Sequence, residues 1–183
     1  MKALIIILLV VAATWCAGHV ILVAVVAPSI FLHAVSTPTI QPDHLSRELA
    51  GAIFGEVLHR WNVAINSSFL PLLGVLLLAL AGVLFRRKRV GLMVVCVLAF
   101  ISIAGVHRWS DAILNEARAT APPTDPSIAY SAEQRQTFNV LHKRSTTVFS
   151  TEAVLLLLLV IGCGVALGRQ ANADSASAAR SAH

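Results

Sequence analysis

Apolar residues along the chain gather into four long blocks, at residues 3–28, 69–85, 90–106 and 148–167, with polar stretches between them. Each block approaches the ~20 residues that carry a helix across ~30 Å of hydrocarbon. A water-soluble bundle would interleave polar positions at the helical period, and these blocks carry almost none. The pattern predicts an all-α, polytopic membrane four-helix bundle with spans over about residues 3–32, 61–85, 90–109 and 146–168. Met1-Lys2 followed by LIIILLVV has the outline of a signal peptide. Trp15 precedes Cys16, however, and the apolar run continues through Val20, so a retained first span is expected.

The polar stretches predict the remaining elements. Residues 36–42 are rich in Pro and Thr and read as a break. Asp43 then caps an amphipathic helix over 43–60, with Leu45, Leu49, Ile53, Val57 and Leu58 on one face. That helix is expected as an additional element lying in the membrane interface. Pro28 should kink the first span where its missing N–H falls. Asn62, Asn66, Ser67 and Ser68 enter the second span ahead of Pro71 and suit hydrogen bonds between helices. Ser131 and Gln134 have the spacing of a capping box at the start of the last helix. Residues 170–183, rich in Ala and Ser without periodicity, read as a disordered cytoplasmic tail.

Composition and charge narrow the class further. Charged residues make up 13% of the chain and hydrophobic residues 57%, against roughly 25% and 45–50% in soluble domains. With four spans, the end holding Lys2, the Arg86–Arg87–Lys88–Arg89 turn, Arg169 and Arg180 carries +6 and the opposite end −1, together the chain's +5. Both ends hold seven Lys and Arg, but four of them pack into one tight turn. The positive-inside rule then puts both termini in the cytoplasm, and a bacterial inner membrane fits best. The basic turn has a topological explanation, so no nucleic-acid partner is expected. Lipid is the expected surrounding, with a homo-oligomer or a membrane protein as further partners. The three cysteines, Cys16, Cys96 and Cys163, all fall inside spans and argue against a disulfide framework.

Candidate chemistry concentrates on the last helix. His142, Ser145, Phe149 and Glu152 are spaced by three, four and three residues, so a helix gathers them on one stripe. Glu152 reads either as an acid paired with Arg108, Lys143 or Arg144, or as a proton or cation site facing the bundle interior. His19, one turn from Trp15 in the first span, is an ionisable group inside a membrane helix and hence a functional candidate. Glu152, His142, Ser145 and His19 form the candidate ligand or proton site. His33, His44, His59, His107 and His142 all fall toward the outer side. Clustered imidazole suits zinc, copper or haem iron, which makes His33, His59, His107 and His142 weak metal candidates. There is no HxxxH, CxxC, GxSxG or HExxH and no phosphate-cradling glycine loop. The chain therefore reads as non-enzymatic, without a cofactor, with a metal ion or haem as the alternative.

Three motifs occur in order: Ala27-Pro28-x-x-Phe31, Glu48-Leu49-Ala50-Gly51-x-x-Phe54, and Phe138-x-x-Leu141-His142-x-x-Ser145. With four spans, the chain over about residues 10–161 resembles the transmembrane protein 205-like family. Phe149 stands where that family often carries a polar residue. The resemblance implies a four-helix membrane domain with no established catalytic site; animal members are associated with drug tolerance and vesicular traffic. Three functional expectations follow: a bundle that binds or moves a small molecule or ion near its outer face, a metal- or haem-binding redox protein, and a structural or assembly partner.

Overall fold

A computed structural model describes residues 1–30, 43–120 and 131–181, with side chains described except at 43–50, 52, 135 and 181. Phe31 and His33 lie outside the described residues, as does the side chain of His44. The described elements are all helical. Helix α1 (Lys2–Ile21) runs on through a π-helical turn at Leu22–Val26. Helix α2 (Asp43–Ala64) passes through a second π turn at Ile65–Phe69 into α3 (Leu70–Arg86). Helices α4 (Val90–Ala119) and α5 (Ala132–Ser181) complete the chain. Four helices are long and apolar enough to cross a membrane: Lys2–Ile30, Ile53–Arg86, Val90–Ala119 and Ala132–Arg180.

These four close into a ring in which α1 packs against α3 and α5, and α4 packs against the same two. Neighbours run antiparallel: Trp15 of α1 meets Phe69 at the head of α3, and His107 of α4 meets Glu152 of α5. The core is a seam of Ile5, Leu8, Val11 and Trp15 from α1 and Leu73, Leu77, Leu80 and Leu84 from α3. Ile103 and Leu156 close it from α4 and α5. Spacings of three and four residues keep each set on one helical face. Val75, Leu78, Val95, Leu98, Leu158 and Ile161 point outward and are exposed. Apolar residues thus cover both the inside and the outside over the basic half of the bundle.

Several expectations meet their outcome here. The capping box forms: the Ser131 backbone N–H donates to Gln134 Oε1 at 2.9 Å, and the Gln134 N–H donates to Ser131 Oγ at 3.1 Å. The separate interfacial helix does not. Residues 43–60 are the first part of a helix that continues unbroken into the second span. Nothing between Arg60 and Asn62 stops a helix, and Trp61 and Ile65 carry it into the bundle. A widened turn precedes each of the two prolines in the spans. Ala27 donates to the Leu22 carbonyl and Leu70 to the Ile65 carbonyl, the i→i−5 bonds of a π turn. Pro28 and Pro71 each stand two residues beyond such a turn. A proline ring clashes with the carbonyl four residues back, and the wider turn moves that carbonyl aside. At the far end, α5 continues to Ser181 over residues that composition assigns to a disordered tail. Alanine is the strongest helix former, and no proline interrupts the run.

Candidate functional site

Six polar side chains are buried among the described residues: His19, Asn62, His107, Ser110, Ser145 and Glu152. Three of them meet directly. On α1, His19 Nδ1 lies 3.1 Å from the Trp15 carbonyl oxygen, one turn back. The carbonyl accepts, so Nδ1 carries the hydrogen and Nε2 faces away. Nε2 stands 3.6 Å from Glu152 Oε2, an ion-pair distance too long for a direct hydrogen bond. From α4, His107 Nδ1 reaches Glu152 Oε1 at 3.0 Å. Each carboxylate oxygen thus faces an imidazole from a different helix, and all three residues are at most 1% exposed.

Aromatic rings jacket this group. Phe149, one turn before Glu152, stacks on His19 with centroids 4.0 Å apart and planes 24° from parallel. Trp15 stands edge-on to His107 at 5.6 Å. Trp61 stands edge-on to His19 at 6.2 Å, and Phe69 fills the angle between the two indoles. Gly18 makes room for Trp61: a Cβ there would overlap the indole ring. These rings exclude water from the carboxylate and raise the cost of any uncompensated charge.

A second polar layer lies one turn further along α4. Asp111 accepts from Asn62 Nδ2 at 3.2 Å and from Asn66 Nδ2 at 3.4 Å. The preceding Ser110 is fully buried. Beyond that, Glu56 accepts from Arg60 and from Arg118, both at 2.9 Å, on an exposed surface. Buried, half-buried and exposed layers therefore succeed one another away from the basic turn. His19 is 17 residues from Lys2 and His107 is 17 from Val90, which places the carboxylate ~26 Å from the basic end at 1.5 Å per residue. The outer face of α5 changes character at the same level. Val154, Leu157 and Leu158 are exposed apolar residues, followed toward the other end by exposed Thr151, Ser150, Thr147 and Thr146. Those four hydroxyls each donate to the carbonyl four residues back, at 2.8–3.1 Å.

Among the described residues, six buried polar side-chain atoms lack a hydrogen-bond partner: Trp15 Nε1, His19 Nε2, Trp61 Nε1, Asn66 Oδ1, His107 Nε2 and Ser110 Oγ. All belong to the two layers just described or to the rings around them. Buried polar groups are normally satisfied, and among the described residues the exceptions are concentrated in this one region.

The residues singled out from sequence separate into two groups. Glu152 and His19 come together. His142 does not join them; it is exposed and stacks on Phe138 at 6.0 Å. Ser145 is buried, but its hydroxyl donates to the His142 carbonyl at 2.8 Å. Leu141 and Ser145, two of the motif positions, face the core, whereas Phe138 is half-buried and His142 exposed. Arg108, Lys143 and Arg144, the cations expected beside Glu152, are all exposed, and its partners are imidazoles. His107, a weak metal candidate from sequence, is one of those partners. His59 is half-buried in the same turn as Glu56 and Arg60. Gly51 and Phe54 are half-buried on α2 and Pro28 is exposed. No group of three or more His, Cys, Asp or Glu among the described residues is arranged to hold a metal ion. No protein-family model matches the chain, and neither a curated protein nor a solved structure is significantly similar to it.

Proposed function

We propose that this chain is a non-enzymatic, multi-pass membrane protein that binds an ion near one membrane face, and that the ion is a proton held between Glu152 and His19. The observation that carries this reading is the His19 tautomer. With Nδ1 donating to the Trp15 carbonyl, neutral His19 presents a bare lone pair at Nε2 to Glu152 Oε2, 3.6 Å away. Two lone pairs facing each other in a dry site repel. One proton between them removes the repulsion, whether it sits on the imidazole or on the carboxyl. The count agrees with burial: ionised Glu152 with two neutral imidazoles leaves one naked charge, and one proton makes the group neutral. His107 completes the site by donating from Nδ1 to Glu152 Oε1.

The depth supports a position near the membrane face opposite the basic turn, which the density of Arg and Lys at residues 86–89 assigns to the cytoplasm. The decisive experiment is an infrared pH titration of the protein in lipid nanodiscs from about pH 4 to about pH 10, spanning the carboxyl and imidazole ranges. The expected result is a single proton-uptake step in carboxyl and imidazole bands that vanishes in Glu152→Gln. The glutamine variant should retain its helical circular dichroism. A wild-type protein whose Glu152 bands stay constant across that range would overturn the proposal.

A further inference from the structure

Resting on that reading of Glu152, we infer that its proton comes and goes by one route, along the α4 face through internal water at Ser110 to Asp111. Among the described residues, buried polarity lies on one side of this carboxylate only. Toward the basic turn, the seam beyond the triad is Leu8, Leu73, Leu77 and Leu156, each at most 2% exposed. None of the buried polar or charged side chains among the described residues lies in that half. Proton transfer needs a chain of hydrogen-bonding groups, and that direction offers only the thiols of Cys96 and Cys163, weak donors and acceptors.

Away from the basic turn the groups are present. His107 Nδ1 is engaged with Glu152, so its Nε2 is a bare acceptor, buried and without a partner. Trp15, whose ring stands against His107, has an orphaned indole N–H, a donor only. Ser110, one turn on from His107, has an orphaned hydroxyl that both donates and accepts. One acceptor, one donor and one group of either kind are the three partners that a buried water typically holds. The next residue, Asp111, is only half-buried, and two asparagine amides fix its carboxylate in place. The Glu56, Arg60 and Arg118 layer then opens to solvent.

The transfer balances without a further reactant. A proton held at Asp111 passes to the water at Ser110, and that water gives a proton to His107 Nε2. His107 releases its Nδ1 proton to Glu152 Oε1 and is left as the other neutral tautomer, and rotation of the carboxyl group then turns the protonated oxygen toward His19 Nε2. Asp111 has lost one proton and Glu152 has gained one; the return runs through the same atoms in reverse. The ionisable groups facing Glu152 are His19 from α1 and His107 from α4. The second layer adds Asp111, and α2 contributes only the uncharged Asn62 there.

The test is deuterium exchange at Glu152, followed as the isotope shift of its carboxyl band after nanodisc-embedded protein is moved into heavy water. Ser110→Ala removes one water partner with little change of shape, and Trp15→Phe removes another while leaving a smaller ring against His107. Each should slow the shift at least tenfold and leave the equilibrium titration in place. Ser102→Ala, an outward-facing position on α4, should exchange at the wild-type rate. A titrating Glu152 band that exchanges at the wild-type rate in both Ser110→Ala and Trp15→Phe would overturn the route alone. No titrating band in the wild type would instead remove the premise, so the two failures are separable.

Discussion

At the scale of single residues, the site depends on what surrounds the imidazoles as much as on the imidazoles. Phe149 occupies a position where a polar residue would offer His19 another hydrogen bond, and so leaves Nε2 directed at Glu152. Gly18 has a comparable role, because any Cβ there meets the Trp61 indole. Gly18→Val should therefore destabilise the protein by about 1–3 kcal/mol, the usual range for overpacking a tight interior. Thermal unfolding in detergent is the check, and a variant as stable as wild type would mean that Trp61 does not need this seat. Much of the residue-scale picture was legible in the sequence. An acid and an imidazole inside apolar blocks stand out without any structure, and the two meet inside the bundle. His142 misled because its spacing from Glu152 is helical yet not in phase. At 100° per residue it lies ~80° around the helix from Glu152, whereas Leu141 lies within ~20°. Leu141 is the one that faces inward. His107 could not be selected from its neighbours, since its partner is 45 residues away and only the antiparallel packing of α4 on α5 joins them.

At the scale of elements, turns decide which side chains meet. The α3–α4 turn closes by backbone bonds from Lys88 to the Phe85 carbonyl at 2.9 Å and from Arg89 to the Leu84 carbonyl at 3.0 Å. Lys88 takes φ 56° to make them, the left-handed conformation that glycine usually supplies at a helix end. Lys88→Gly should stabilise the folded bundle by about 1 kcal/mol, the lower end of the cost of that conformation for a residue with a Cβ. A melting temperature that falls in Lys88→Gly would show that the lysine side chain contributes more than its backbone costs. The proline turns were only half legible. Pro28 and Pro71 announce a disturbance, but proline alone does not say whether a helix bends or widens. Here a π turn precedes each proline, and the helix runs on through the one before Pro71, with Trp61 edge-on to His19.

For the whole molecule, the spans were the most legible feature, because crossing hydrocarbon demands length and apolarity that few other constraints imitate. Less legible was how sharply the bundle divides into a dry half and a polar half. The seam toward the basic turn is leucine on leucine, while histidine, asparagine, serine and the acid collect toward the other end. Each helix contributes one or two of those polar residues, too few to form a pattern in any single segment. The gathering exists only after four helices assemble.

That division has an electrical consequence. The membrane potential falls across the hydrocarbon, and a charge is worth ~2.3 kcal/mol per 100 mV only if it crosses all of it. The carboxylate lies ~26 Å from the basic end of a ~30 Å layer, so a proton arriving from the polar end crosses only about one eighth of the field. A potential of 100 mV would then change its binding by ~0.3 kcal/mol, less than a factor of two in occupancy. Glu152 would register the acidity of the water at its own face and be nearly blind to voltage. Titrating it in liposomes with and without a potassium diffusion potential should move the midpoint by no more than about 0.3 pH unit per 100 mV; a shift near about 1.5 units would mean that the proton enters from the basic side.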